Sequence, residues 1–446
     1  MSAVHRRTAL LLSLGFMTGC ASAEDRLSQG VELQAQGRYM EAVYRYADAV
    51  EKDPSLAEAQ GRLLVAGDSA LFQAMDDADA YERRGDPVAA AGRYREIDQM
   101  LARIRSVGLR LRPPADYTDI RRGVFDRAIE WQMIEGYEAQ DQGRWEDARR
   151  SFIGARGDYL PSREQVEESL EAETQLLLAW SHVELEDHRP RAGYAIAQQA
   201  LEVRQSPARE VVTQVRDLHH RALDMGTVVV AVLPVTASGG VRGYLGPEFE
   251  IQLDEDLTRD HWNQPPLFVQ VADPLILRQE LRGLLRGRVP QSALLVGRAL
   301  DLIGADVGVM VEVTTLDVVE EDVEYRSRTA RTLPQGRGVN RGTVDTVTYQ
   351  VATGEVSYHV EAVGILVDVE GREIASFTAA AQQGGPFERG EYDGDPESLD
   401  LGSIEARLFD PEVQAGERRH IEQALLEELA LNIAAGTYET VLAGVR

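Results

Sequence analysis

Two distant stretches of this chain place the same kinds of residue at the same six positions. Gly30, Gly37, Tyr39, Ala42, Tyr46 and Ala49, closed by Pro54, recur as Gly136, Gly143, Trp145, Ala148, Phe152 and Ala155, with steps of 7, 2, 3, 4 and 3 residues in both. Two antiparallel helices in close contact satisfy such spacing. Small residues stand where the helices approach, an aromatic ring fills the adjoining groove, and Gly37 and Gly143 take the turn, where a missing Cβ relieves strain. Ala78, Gly85, Pro87, Ala90, Tyr94 and Ile97 keep the same steps with weaker residues, and Ser181, His188, Pro190, Gly193, Ala197 and Ala200 form a degenerate fourth copy. The separations between copies are irregular, with a break near Arg112, Pro113 and Pro114, so the pattern predicts a short, imperfect array.

This spacing resembles the tetratricopeptide repeat, a pair of antiparallel helices of about 34 residues. The resemblance implies an all-α solenoid over residues 20–225, on the framework Gly37, Tyr39, Ala42, Tyr46, Gly143, Trp145, Ala148 and Phe152, with a groove that grips a partner peptide or merely spaces the next domain.

The 446 residues include 47 Lys plus Arg against 74 Asp plus Glu, a formal charge of −27, with 43% hydrophobic residues. That balance is globular with an acidic surface, and it argues against nucleic acid, whose binding needs clustered cations. The length accommodates two or three domains. A single cysteine excludes an internal disulfide framework and any multi-thiolate metal site. That cysteine follows His5, Arg6, Arg7 and the uncharged stretch TALLLSLGFM, which has the length of an export-signal core and is too short to span a bilayer. Met17, Thr18, Gly19 and Cys20 resemble the bacterial lipobox. The resemblance implies that residues 1–19 are a lipoprotein signal peptide and that Cys20 carries the covalent lipid. With Ala rather than Asp at position 21, it implies the outer membrane, the protein facing the periplasm or the cell surface. Several acyl chains give stable anchoring.

At Thr227 the periodicity changes. TVVVAVLPV (227–235) is a continuous apolar, β-branched run, as in a strand buried on both faces. A loop, TASGGVRGYLG, and a helix, PEFEIQLDEDLTRD, follow; then come a strand, LFVQVADP, and two helices, LILRQELRGLL and SALLVGRALDLIG. ADVGVMVEVTTLDV reads as a strand; TVDTVTYQV, VSYHVEAVGILVDVEG and REIASFTAAA read as antiparallel strands; a helix from about Arg418 closes the chain. The order, with VVVAVLPV, LDLIGADVGVMVEVTTLDV and VGILVDVEGREIASF, resembles the periplasmic domain shared by CsgG, the amino-terminal domain of TolB and LpoB. That implies an α/β domain with a mixed sheet over 226–446, in a family that acts by assembling or by touching partners rather than by catalysis.

Two segments interrupt the pattern. RSRTARTLPQGRGVNRG (326–342) carries Arg326, Arg328, Arg331, Arg337 and Arg341 and no acid; it reads as a loop, solvated or set against an anionic surface. Its flanking strands lack the outward apolar alternation of a membrane-spanning hairpin. GGPFERGEYDGDPESLDLG (384–402) is acidic, with Asp393, Asp395 and Glu397, but is no recognisable calcium loop.

Catalytic motifs are scarce. Gly239, Gly240, Gly243 and Gly246 fail the dinucleotide spacing, and no Lys-Ser/Thr follows to make a phosphate loop. His219 and His220 are adjacent, so on a helix they point about 100° apart and cannot easily share a metal. Asp254, Glu255 and Asp256 read as a solvated helical face. There is no Gly-x-Ser-x-Gly and no His-Glu-x-x-His. The expectation is a multidomain, non-enzymatic envelope lipoprotein without cofactor or metal, a protein-interaction scaffold in outer-membrane or periplasmic assembly or secretion. Its partners would be envelope proteins held in the repeat groove, the membrane through the lipid, and other copies of itself, but not nucleic acid. The alternatives are a monomeric activator of a cell-wall synthase and, less favoured, a nucleotide-binding protein using residues 238–246.

Overall fold

In the computed structural model, residues 22–245, 248–273, 276–277, 279, 293–333 and 344–444 are described. Cys20 and the signal segment, Arg337, Arg341, Gly246 and most of the helix expected over 275–285 lie outside them. The first half holds α1 (Ala23–Ala35), α2 (Tyr39–Lys52), α3 (Ala57–Arg83), α4 (Pro87–Ser106), α5 (Tyr117–Asp141), α6 (Trp145–Gly157), α7 (Arg163–Glu186), α8 (Pro190–Glu202) and α9 (Arg209–Gly226). The first eight pair into four helical hairpins, one for each copy of the spacing, the two weak copies included.

All four turns are built alike. Gly37, Gly85, Gly143 and His188 have φ of 74°, 77°, 70° and 56°. The next residue donates its N–H to the carbonyl five positions back: Arg38 to Leu33 at 3.0 Å, Asp86 to Tyr81 at 3.0 Å, Arg144 to Ala139 at 2.8 Å and Arg189 to Glu184 at 2.8 Å. This is the Schellman closure, which satisfies carbonyls the helix end leaves open. Glycine adopts it without steric cost, whereas His188 adopts it against its Cβ.

Behind each turn the helices meet at the first position of the pattern. A Cβ on Gly30 would lie 2.4 Å from Tyr46 Cε1, and one on Gly136 would lie 2.4 Å from Phe152 Cε1. Both rings are fully buried. At the matching positions of the second hairpin Ala78 and Tyr94 are both buried, and in the fourth Ser181 and Ala197 are both fully buried. Between α4 and α5 the proline-containing connector has no regular structure, and Leu111 from it packs against Gly67 of α3. Glu173 of α7, 2% exposed, ties α6 to α7: it accepts from Arg149 Nε at 2.9 Å and also from Arg156.

By internal packing the chain divides into two units, 1–181 with 196–215 and 182–195 with 216–446, so the division cuts α7, α8 and α9. The second unit contains a seven-stranded mixed sheet. Its strands are β1 (Val228–Val232), β2 (Thr236–Ala237), β3 (Val269–Val271), β4 (Val307–Thr332), β5 (Thr346–Asp368), β6 (Glu373–Glu391) and β7 (Leu399–Asp400). The path is β3-β1-β4-β5-β6, parallel through β3, β1 and β4 and antiparallel from β4 to β6; β2 and β7 pair with β4. Its helices are α10 (Gly239–Leu245), α11 (Glu248–Asp256), α12 (Ala293–Ile303), the short α13 (Ser403–Ala406) and α14 (Pro411–Gly444). β1 is covered on both sides, as its unbroken apolar run requires: Val230 and Val232 share a core with α11 and α14, and Ala231 and Leu233 share one with α12. Phe377 of β6 sits where a Cβ on Gly364 of β5 or on Gly436 of α14 would strike its ring, at 2.1 and 2.5 Å.

Three loops expected from the sequence are in part regular structure. Residues 326–332 extend β4, which runs for 26 residues, and residues 384–391 extend β6. Far along these strands the apolar alternation fades, but backbone pairing continues, Arg331 against Thr346 and Gln350 against Glu391. The TASGGVRGYLG segment contributes β2 and α10, and the closing helix begins at Pro411 rather than near Arg418.

The glycine contacts define a test. Gly30→Ala and Gly136→Ala are expected to destabilise the protein by about 1–3 kcal/mol through overpacking against the rings, and Gly143→Ala by about 1 kcal/mol through its left-handed turn. Gly92→Ala, on α4 with open space around it, is expected to stabilise by about 1 kcal/mol. Chemical denaturation of the four variants checks the order, and equal effects at Gly92 and Gly136 would refute the packing account.

Candidate functional site

The repeat framework is largely interior. Ala42, Tyr46, Ala148 and Phe152 have no exposed surface, Gly37 and Gly143 form turns, and Tyr39 and Trp145 are half-buried. Trp145 stacks on Trp180 of the next hairpin at 6.4 Å and 9°. These residues set the shape of the array; other side chains form its exposed surface.

That surface is clearest on α5. Its inward face carries Val124, Phe125, Ala128, Ile129, Met133, Gly136 and Ala139. On the outer side Trp131, Ile134 and Tyr137 remain 42%, 47% and 46% exposed, although their residue types would suit a core. At 100° per residue the three span an arc of about 120°, and the same arc takes in Arg127, Glu130, Glu138 and Asp141. Trp131 and Ile134 line a cavity of about 290 Å³ with Glu82, Gly85 and Pro87 from the second hairpin and Arg127 and Glu130 from α5. Arg127 bonds Glu82, its Nε 3.1 Å from Oε1. Tyr137 sets its ring edge-on to Phe152 at 5.1 Å, so its exposed side is held in place.

The electrostatics of this surface are negative. Burial pushes the Tyr137 hydroxyl up from its ordinary value, and Glu168 and Glu171 push it further. Burial also takes Tyr94, behind the end of α3, up to about 12, with Asp79 and Glu82 adding to it. Glu130, Glu138 and Asp141 are exposed and form no ion pair among the described residues.

The other sequence candidates are placed as follows. Arg326, Arg328 and Arg331 lie on β4 rather than in a loop, and acids of β4 and of other elements approach the first two. Arg326 is 3.1 Å from Glu324, and Arg328 lies 3.8 and 3.7 Å from Glu388 and Glu405. At the glycine-rich turn the Glu250 carboxylate fills the place an anion would take: it accepts from Ala237 N at 2.7 Å and from Arg242 Nη2 at 2.6 and 2.7 Å. Asp395 caps its own turn by accepting from Glu397 N at 3.0 Å. No group of three potential metal ligands occurs among the described residues, and no helix among them is long and apolar enough to cross a membrane.

His219 of α9 stacks on Tyr194 of α8 at 3.7 Å and 14°, and Phe268 sets its ring edge against Tyr194 at 5.6 Å. Its Nε2 is buried without a hydrogen-bond partner. Burial lowers its pKa from 6.5, opposed by the backbone hydrogen bond with Tyr194 and helped by His220.

No family model matches the chain, and no curated protein matches it. Among solved structures, one described as "Functional Characterization of Pseudomonas Aeruginosa pilF" aligns with 46% of this chain and 74% of its own length at 17% identity, with a TM-score of 0.14.

The histidine gives a signed pH dependence. Above its ordinary pKa both folded and unfolded chains hold it neutral, so its contribution is complete there. As the pH falls below 6.5 the unfolded chain takes up the proton before the folded one, and stability is lost down to the lowered folded value. Denaturation midpoints between about pH 7.5 and about pH 5 are expected to fall, and His219→Phe, which keeps the stack and removes the titration, is expected to flatten part of that slope.

Proposed function

We propose that this protein is a non-enzymatic scaffold of the bacterial envelope, lipid-anchored through Cys20 to the outer membrane, that holds a partner protein on the outer face of α5. The observation that carries the reading is the set of three large apolar side chains, Trp131, Ile134 and Tyr137, left exposed beside a cavity on a rigid hairpin array. Exposed aromatic residues fixed by a packed support are the usual anchors of protein interfaces. The four matching hairpins support a tetratricopeptide-like way of presenting that face, as stacked repeats form extended binding surfaces. The mixed-sheet half, which resembles the CsgG, TolB and LpoB domain in its order of elements, assembles with itself or docks in secretion or envelope assembly.

A second reading, a monomeric activator of a cell-wall synthase, draws support from the long β4–β5–β6 ribbon. Its distal part is rich in charge, with Glu320, Glu321, Glu324, Arg326 and Arg328 exposed or paired, which suits an aqueous docking arm better than a lipid-inserted hairpin. A nucleotide site at residues 238–246 is disfavoured by Glu250, whose negative charge would oppose a phosphate.

Two measurements test the proposal. A photocrosslinking residue at Ile134 in growing cells is expected to trap one discrete partner, and Trp131→Ala is expected to abolish that product without shifting the melting temperature. Cys20→Ser is expected to move the protein from the membrane to the soluble fraction. Retention of the variant in high-salt-washed membranes would overturn the anchor, and the absence of any crosslinked species would overturn the partner-binding role of α5.

A further inference from the structure

The α5 face also specifies the kind of partner it suits. Its apolar strip is interleaved with Glu130, Glu138 and Asp141, all exposed and without an ion-pair partner among the described residues. The one cation on the same arc, Arg127, is turned to Glu82 and held by two hydrogen bonds. Glu168, close enough to Tyr137 to act on its hydroxyl, adds a carboxylate from α7. Elsewhere on the hairpins some exposed carboxylates are matched within one turn, as Glu41 is by Arg38, Glu58 by Arg62 and Glu96 by Arg93. On α5 they are left open around a hydrophobic strip.

We propose that the face formed by Trp131, Ile134 and Tyr137 with Glu130, Glu138 and Asp141 docks a basic amphipathic segment of its partner, one large apolar side chain entering the cavity beside Trp131 and lysines or arginines meeting the surrounding carboxylates. The inference rests on the partner-binding reading above and adds the chemistry of the ligand. The cavity of about 290 Å³ accommodates one large side chain, not a folded domain. The charged rim speeds and orients encounter while the apolar centre holds the complex. An acidic segment would meet like charge on every side of the anchor.

The test uses the purified full-length protein and two fluorescent peptides of about 16 residues with leucines at helical spacing, one with lysines and one with glutamates between them. The lysine peptide is expected to bind saturably and about ten-fold or more tighter than the glutamate peptide, and to weaken as salt is raised. Trp131→Ala is expected to weaken it about ten-fold, and so is the pair Glu130→Lys and Glu138→Lys. The control pair Glu32→Lys and Asp68→Lys, equal in charge and on other exposed surfaces, is expected to change it less than about two-fold. Equal losses in both pairs would show only the diffuse field of an acidic protein, and indifference to Trp131→Ala or to peptide charge would place the site elsewhere; either result overturns the inference. A crosslink at Ile134 that persists in cells while the lysine peptide fails would refute the basic-segment inference and leave the partner-binding reading intact.

Discussion

The contact on which the repeat half depends is between an aromatic ring and a residue with no side chain. Tyr46 against Gly30 and Phe152 against Gly136 let a helix settle against a ring at a separation that even a methyl group would prevent. A ring buried this way contributes a large apolar area and fixes the height of one helix above the other. The second unit uses the same device. Phe377 fills the space over Gly364 and Gly436, and Phe409 the space over Gly390. Because α5 is seated by Gly136 on Phe152, the rotation of that helix about its axis is fixed. Trp131, Ile134 and Tyr137 point outward as a consequence of that seating.

This explains which parts of the fold were legible in the sequence. The hairpins were legible even in degenerate form, because a left-handed turn and a close helix approach tolerate few residue types at fixed spacing. Gly85 and His188 occupy the same backbone state as Gly37 and Gly143. β1 was legible because burial on both faces leaves an unbroken apolar run. The far ends of β4 and β6 were not, since Glu320, Glu321, Glu324 and Arg326 are held in strand by pairing with β5 rather than by burial, and pairing leaves no alternation to read. α10 was hidden by its glycines, and Glu250, eight residues from Arg242, supplies the carboxylate that organises the turn. The α5 face was hidden for a different reason. Its tryptophan, isoleucine and tyrosine look like core residues, and only the position of Gly136 against Phe152 reveals that the core lies on the opposite side.

The acidity of the chain is similarly uneven once folded. Many arginines are used within one helical turn of an acid, where each pair contributes little to stability. Glu173 is the most buried acid among the described residues: it is removed from water and held between Arg149 and Arg156, so its loss would leave two cations in a site shaped for their partner. It fixes α7 against α6 more specifically than apolar packing alone, which tolerates sliding. Much of the surplus negative charge lies on open surfaces, as at Glu130, Glu138 and Asp141.

Among the four turns, the fourth alone lacks glycine, and this sets a gradient of local stability along the array. His188 holds a conformation that its Cβ opposes, and behind it Ser181 and Ala197 take the place of the glycine and the ring. The hairpin made by α7 and α8 thus has neither the relaxed turn nor the aromatic wedge of its neighbours. In native-state hydrogen exchange its amides would open at lower free energy than those around Gly37 and Gly143.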